Sequence, residues 1–173
     1  MEMGIPLPYL IAVIITGYSA FTDLKEHKIY NKLTMPSIAA GILLNLVLEG
    51  MGGLKNSLLG FGLGVLSMIL WILGMLKAGD VKLYMSVGAI AGWKFCGYTI
   101  IGSILTGGLI SAFLIVFRGT AKASFMRIKL YILHLFYTRE FHIYEPEESS
   151  AYCSFGSCIF CGVLESIWYL CFR

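Results

Sequence analysis

The feature that most constrains this chain is a series of six long apolar stretches separated by short charged connections. A bilayer core about 30 Å thick is crossed by roughly 20 apolar helical residues, or by fewer where long basic side chains reach the interface. The sequence therefore predicts an all-α membrane protein, a polytopic bundle of about six transmembrane helices. The predicted spans are residues 5–22, 33–48, 54–76, 81–95, 97–117 and 151–172.

The composition agrees with lipid as the solvent of the chain. Hydrophobic residues make up 58% of the sequence and charged residues only 13%, and the apolar positions fall in runs rather than in alternation. The net charge of +3 comes from basic residues in short clusters between apolar runs. The lipid bilayer is therefore an expected partner, and a nucleic-acid partner is not expected.

The cysteine and histidine patterns do not predict a metal centre. The five cysteines lie mostly within apolar sequence, where buried reduced thiols are the simplest interpretation. Cys158 and Cys161 have CxxC spacing, but no second pair completes a four-cysteine zinc site. The three histidines also lack ligand spacing. We expect no metal and no cofactor.

The distribution of lysine and arginine predicts the orientation in the membrane. If the loops alternate sides, ten basic residues fall on one side and three on the other, which places the first side in the cytoplasm and the N-terminus outside. The ten are Lys25, Lys28, Lys32, Lys77, Lys82, Arg118, Lys122, Arg127, Lys129 and Arg139; the three are Lys55, Lys94 and Arg173. The apolar run near the N-terminus has no basic residue before it, so we expect a retained first helix.

Two further patterns bear on the architecture. Glycines at four-residue spacing, Gly60 with Gly64 and Gly88 with Gly92, predict close helix packing in one compact bundle. The connection 118–150 mixes apolar and basic residues, as in a helix that lies on the anionic cytoplasmic leaflet. The whole chain, residues 1–173, is expected to form a single membrane-embedded domain.

Two aspartates lie at the membrane boundary in this topology. Asp23 follows the first predicted span and Asp80 precedes the fourth, so both are expected at the cytoplasmic face. Two nearby carboxylates share a proton, and such a pair can activate water for peptide hydrolysis without a covalent intermediate. Spacing alone does not show that they meet. Gly79 and Asp80 could simply cap two helices, and Asp23 could mark the end of the first span.

Two motifs around these acids resemble those of the type IV prepilin peptidases, membrane aspartic proteases of the GxGD group that include preflagellin peptidases. The first is "DLKEHKIYNKLT", which contains Asp23, Ile29 and Asn31, and the second is "AGDVKL", which contains Gly79 and Asp80. The resemblance extends from the first helix to about residue 117, with a weaker similarity near "AYCSFGSCIFCG".

The resemblance implies an aspartic endopeptidase of a prokaryotic cytoplasmic membrane, with Asp23 and Asp80 as its catalytic residues. Type IV pilin-like or flagellin-like precursors would be its substrates, and it would cut their short basic leaders at the cytoplasmic face. Gly79, Lys82, Asn31 and Lys77 are expected to support the site. Larger family members also N-methylate the product and carry a cytoplasmic insert with paired CxxC motifs. This chain has no such insert after Asp23, so methyltransferase activity is not expected.

The chain departs from the family pattern at two positions. Tyr30 stands where the family usually has proline, and Lys77 stands where it has the first glycine of GxGD. Lys77 puts in doubt the close backbone packing that glycine allows. It also favours a third interpretation, a noncatalytic partner in pilus assembly. A small ion channel or carrier remains an alternative as well, because Asp23, Asp80 and Glu165 could line a polar path.

Overall fold

The computed structural model describes residues 6–26, 28–73, 75–117 and 154–172. Within these ranges every regular element is an α-helix, which confirms the all-α part of the prediction. The helices are α1 (Leu7–Glu26), α2 (Asn31–Leu66), α3 (Met68–Ile72), α4 (Ala78–Phe117) and α5 (Phe155–Phe172). In the described part of the chain, three helical stretches are long and apolar enough to cross a membrane: Leu7–Glu26, Asn31–Ile72 and Ala78–Phe113.

The chain divides into two compact units, Met1–Thr106 with Ser154–Arg173, and Gly107–Cys153. The candidate site described below lies in the first unit. The surface helix expected within residues 118–150 falls outside the described residues, and the single domain over residues 1–173 stays a prediction.

Helix α2 reverses direction at Gly50, which has φ 62° and ψ −140°. Glycine adopts positive φ without the steric cost that a Cβ atom brings. A Cβ atom built on Gly53 would lie only 2.2 Å from the carbonyl oxygen of Asn45, whereas eight residues of straight helix span roughly 12 Å. Residues 31–49 and 51–66 are therefore two arms that fold back on each other.

Helix α4 reverses in the same way at Gly92, which has φ 82° and ψ 177°. The hydroxyl groups of Tyr84 and Ser103 are 2.5 Å apart, and the Cys96 thiol lies 3.6 Å from the carbonyl oxygen of Tyr84. In a straight helix, Tyr84 and Ser103 would be separated by roughly 28 Å. Residues 78–91 and 93–117 are thus the first and second arms of α4.

The second arm of α2 packs closely against the first arm of α4. Cβ atoms built on Gly60 and Gly88 would each lie 2.1 Å from the other glycine's carbonyl oxygen, and one on Gly64 would lie 2.5 Å from the Cα atom of Met85. The order of these contacts shows that the arms are antiparallel. The predicted close packing is confirmed at Gly60, Gly64 and Gly88, whereas Gly92 forms the reversal itself.

Buried polar side chains of α2 satisfy carbonyl groups near the reversal of α4. The side-chain amide of Asn45 donates to the carbonyl oxygens of Ala89 and Ile90 at 3.1 and 2.8 Å, and the Ser57 hydroxyl donates to Ala89 at 2.5 Å. Carbonyls in the last turn of a helix lack partners within the helix. Both arms of α2 therefore stabilise the end of the first arm of α4.

Helix α5 lies antiparallel to α1. The Phe160 ring is 3.3 Å from a Cβ atom built on Gly17, while Gly156 lies beside Asp23 at the other end of the contact. Helix α5 also contacts the second arm of α4, where the hydroxyl groups of Thr99 and Ser166 are 3.1 Å apart. An apolar core joins α1, α4 and α5 and contains Ala12, Val87, Ile90, Ala91, Phe95, Val163 and Ile167.

Several helix boundaries differ from the predicted spans. Helix α1 continues to Glu26, so Asp23 lies inside the helix rather than after it. The predicted span 54–76 is interrupted at Ser67, whose hydroxyl donates to the carbonyl oxygen of Gly64, and helix α3 ends at Ile72. Helix α4 begins at Ala78 and reverses at Gly92, because glycine, and not the charge of Lys94, determines where the backbone can turn.

Candidate active site

The two aspartates singled out by the sequence line the same cavity. Asp23 lies in the last turn of α1 and Asp80 in the first turn of α4, with exposed fractions of 3% and 2%. The cavity has a volume of about 320 Å³. Its lining consists of Asp23, Lys28, Ile29, Tyr30, Asn31, Lys77, Gly79 and Asp80. The structure therefore brings together two acids that are 57 residues apart in the chain.

Asp23 is held by the beginning of α5. The Ser154 hydroxyl donates to Oδ2 of Asp23 at 2.6 Å, and the backbone N–H of Gly156 donates to the same oxygen at 2.9 Å. The first N–H groups of a helix have no partner within the helix, and the helix dipole favours negative charge there. A Cβ atom on residue 156 would lie 2.9 Å from Oδ2, so glycine permits this approach.

Asp80 is held by the beginning of its own helix. The backbone N–H of Lys77 donates to Oδ2 of Asp80 at 3.0 Å, and the N–H of Asp80 donates to the carbonyl oxygen of Lys77 at 3.0 Å. The bond from the Lys77 N–H to the Asp80 carboxylate is one half of a capping box, in which an acidic residue at the third helical position bonds back to the residue before the helix. The alternative that Asp80 itself precedes the helix is therefore wrong.

The hydrogen bond from the Lys77 N–H to Asp80 is relevant to the presence of lysine where the family has glycine. It uses the main chain of residue 77, which any amino acid supplies, so replacing glycine with lysine at this position does not remove it. Lys77 and Lys28 both line the cavity that the two aspartates share.

The two sequence motifs meet at the mouth of this cavity. Gly79 packs against Ile29, where an added Cβ atom would lie 3.1 Å from the Cβ atom of the isoleucine. The Lys82 ammonium group donates to Oδ1 of Asn31 at 2.9 Å. Residues 28–30, between α1 and α2, are thereby attached to the first turns of α4.

Tyr30, the second departure, is the residue that precedes α2. Its φ of −79° and ψ of 127° lie in the extended region, and this φ is within the range that a proline ring permits. The backbone here thus retains a conformation suited to proline. The Tyr30 hydroxyl donates to the Glu26 carboxylate, and this hydrogen bond, with the negative charge of Glu26, raises the pKa of the phenol.

The third acid considered from the sequence, Glu165, is not part of the cavity lining. It is exposed on α5, and its carboxylate accepts a hydrogen bond from Thr106 at 3.3 Å and lies against Gly102. His27 falls outside the described residues. Within residues 6–26, 28–73, 75–117 and 154–172, no three histidine, cysteine, aspartate or glutamate side chains are placed to hold a metal ion.

The sequence interpretation did not assign Ser154 and Gly156 to the site. A serine directly before an apolar run is a helix-start signal, and Ser154 does precede α5. That signal predicts where a helix begins but does not predict which acid its first N–H groups face.

Comparison with known proteins adds to this geometry. A family-wide sequence profile, described as the type IV leader peptidase family, matches residues 10–112, which is more than half of the chain. The chain belongs to the type IV leader peptidase family. The matched segment contains both Asp23 and Asp80, and membership in this family confirms the resemblance seen in the sequence.

One relative from this comparison is the prepilin peptidase EppA of Methanothermobacter thermautotrophicus. It is 26% identical over 145 residues, which cover 79% of this chain and 38% of the relative. This type IV leader peptidase family member thus spans well under half the length of that relative. No solved structure matches the chain.

Proposed function

We propose that this chain is an intramembrane aspartic endopeptidase that removes the short basic leader of prepilin-like or preflagellin-like precursors. The observation that carries the proposal is that Asp23 and Asp80, both almost fully buried, line one cavity. Membership in the type IV leader peptidase family supports leader peptides as the substrate class.

The proposed chemistry uses the two carboxylates as a pair. Two carboxylates in one buried cavity cannot both ionise at low cost, so they share a proton. The ionised member takes a proton from water as general base, while the protonated member polarises the scissile carbonyl and then protonates the leaving amine. Water attacks the peptide bond directly, so no covalent intermediate forms and no metal or cofactor is required.

The proposed topology has six passes through the membrane and an external N-terminus. The reversals at Gly50 and Gly92 divide α2 and α4 into antiparallel arms, which supports four passes from these two helices. Helices α1 and α5 supply the other two. The excess of lysine and arginine on one side supports a cavity at the cytoplasmic face of a prokaryotic membrane. A precursor whose leader remains in the cytoplasm would meet the cavity there.

Methyltransferase activity is not part of the proposal. Only residues 27–30 join α1 and α2, so the cytoplasmic insert of the bifunctional members is missing at this point of the chain.

The test is co-expression with a candidate precursor that has a basic leader, a glycine and then a long apolar helix. We expect Asp23→Asn and Asp80→Asn each to lower the rate of leader removal by at least 100-fold, a loss in the range expected when general acid–base catalysis is removed. Glu165→Gln is the matched control, because it removes a carboxylate from an apolar helix without altering the cavity lining.

Two results would contradict the proposal. Normal leader removal by either aspartate variant would exclude the carboxylate pair as the catalyst. An ion flux through the purified protein in vesicles that all three variants reduce, without any cleavage, would favour the channel or carrier. A cleavage defect restricted to Asp23 and Asp80 is the expected pattern.

A further inference from the structure

We infer that Ser154 is a positioning residue that holds Asp23 as the ionised member of the carboxylate pair, so that Asp23 is the general base and Asp80 carries the shared proton. This inference rests on the proposed function and assigns separate roles within it. It also extends the site beyond residues 10–112, the segment matched by the family profile, to the beginning of α5.

The donors around Asp23 restrict where a proton can lie on its carboxyl group. The backbone N–H of Gly156 can only donate, so Oδ2 of Asp23, which lies 2.9 Å from it, acts as an acceptor, and a proton on this carboxyl group belongs on Oδ1. The Ser154 hydroxyl, 2.6 Å from the same oxygen, then donates to it as well. Oδ1 is therefore the oxygen of Asp23 assigned to take a proton from water.

The two acids differ in the hydrogen bonds that they accept. Asp23 accepts two hydrogen bonds on Oδ2, both from the beginning of α5, whereas the bond described for Asp80 is one backbone donor, Lys77, on Oδ2. Hydrogen bonds to a carboxylate favour its ionised form, and the positive end of the α5 dipole adds to them. The negative charge of the pair is therefore more stable on Asp23, and the shared proton on Asp80.

Other charged groups surround the pair. Lys28, Lys77 and Tyr30 line the cavity together with the two acids, and Lys25 and Glu26 follow Asp23 on α1. From α5, the Cys158 thiol lies 4.0 Å from the carbonyl oxygen of Ser154. Cavity cations favour ionisation of the carboxylates that they face, and the charge of Lys77 acts on Asp80. Ser154 and Gly156 differ from them because both of their hydrogen bonds reach Asp23.

The test is the pH dependence of leader removal by the purified full chain in detergent or vesicles, with Ser154→Ala as the variant. A hydrogen bond to a charged group contributes enough to move a titration by about one pH unit. Loss of the Ser154 bond destabilises the ionised form of Asp23. The acid limb of the pH–rate profile should therefore move to higher pH by about one unit, with kcat on the plateau changed by less than about threefold.

Two further variants separate positioning from structure. Ser154→Thr keeps the hydroxyl and should restore the acid limb. Ser157→Ala is the matched control, because the Ser157 hydroxyl donates to the carbonyl oxygen of Ser154 at 2.6 Å and not to Asp23; its profile should match that of the unaltered chain.

Three outcomes would overturn the inference. A uniform loss of rate in Ser154→Ala, with both limbs in place, would show a structural role only. A shift of the basic limb instead of the acid limb would assign the proton to Asp23. An unchanged profile would remove Ser154 from the site. If the unaltered chain cleaves no precursor, the proposed function itself fails, which is a different result from any of these three.

Discussion

The contact between Gly60 and Gly88 offers a direct test of the packing that positions the first arm of α4. Each glycine's missing Cβ atom would lie 2.1 Å from the other's carbonyl oxygen. Because ordinary van der Waals contact begins near 3.4 Å, a Gly60→Ala variant must move the two helices apart by about 1.3 Å or distort one of them. This displacement would act on the helix whose first turn carries Asp80.

The expected loss of stability follows from two opposing effects. Forced displacement in a well-packed core costs about 1–3 kcal/mol, while the better helix propensity of alanine offsets up to about 1 kcal/mol. Because the obstructing atoms are backbone and cannot rotate away, the cost should lie in the upper half of its range, and the net destabilisation should be about 1–2 kcal/mol. At about 2–4 °C per kcal/mol for a chain of this size, Tm should fall by about 2–8 °C.

The assay is thermal unfolding of the purified protein in detergent, followed by tryptophan fluorescence. Gly62→Ala is the matched control, because Gly62 lies two residues away on the same arm and a Cβ atom there meets nothing within 4 Å. Its Tm should equal or exceed that of the unaltered chain. Equal Tm values for Gly60→Ala and Gly62→Ala would refute the packing argument.

Two further predictions concern the mouth of the cavity. Gly79→Ala places a Cβ atom 3.1 Å from that of Ile29; we expect a fall of about 3- to 10-fold in leader removal, since a displacement of a few tenths of an ångström beside a reacting group is costly. Gly108→Ala, in open space on the same helix, should cleave normally, and equal rates for the two variants would contradict this role. For the hydrogen bond between Lys82 and Asn31, a double-mutant cycle with Lys82→Met and Asn31→Ala should show coupling of about 1 kcal/mol in kcat/KM. Strictly additive effects would show that this contact does not position residues 28–31.

The helices themselves could be predicted from local sequence. Helix α1 and helix α5 lie within four residues of the predicted spans at each end, and the first reversal, at Gly50, falls between the predicted spans 33–48 and 54–76. The predicted spans 81–95 and 97–117 put the second reversal near residue 96. The structure places it at Gly92, where φ is positive and a Cβ atom would lie 2.5 Å from the Asn56 amide.

Most of the candidate site was also accessible from the sequence. Asp23 and Asp80 were selected by their positions at span boundaries and by the motifs that surround them, and the structure places both in one cavity. Ser154 was not selected. Its role depends on the packing of α5 against α1. Because α5 begins about 130 residues after Asp23, no local sequence pattern indicates that Ser154 contacts this acid.

The sequence by itself determined that this chain is helical and apolar, because hydropathy and run length are properties of neighbouring residues. It also determined which acids are candidates for function, because an ionised acid beside an apolar membrane span has a high free-energy cost. Only the tertiary structure decided which helix faces meet. In lipid the outward and inward faces of a helix are both apolar, so no amphipathic stripe in the sequence indicates the contact surface. The contacts form instead where glycine allows close approach, as at Gly60, Gly88 and Gly156.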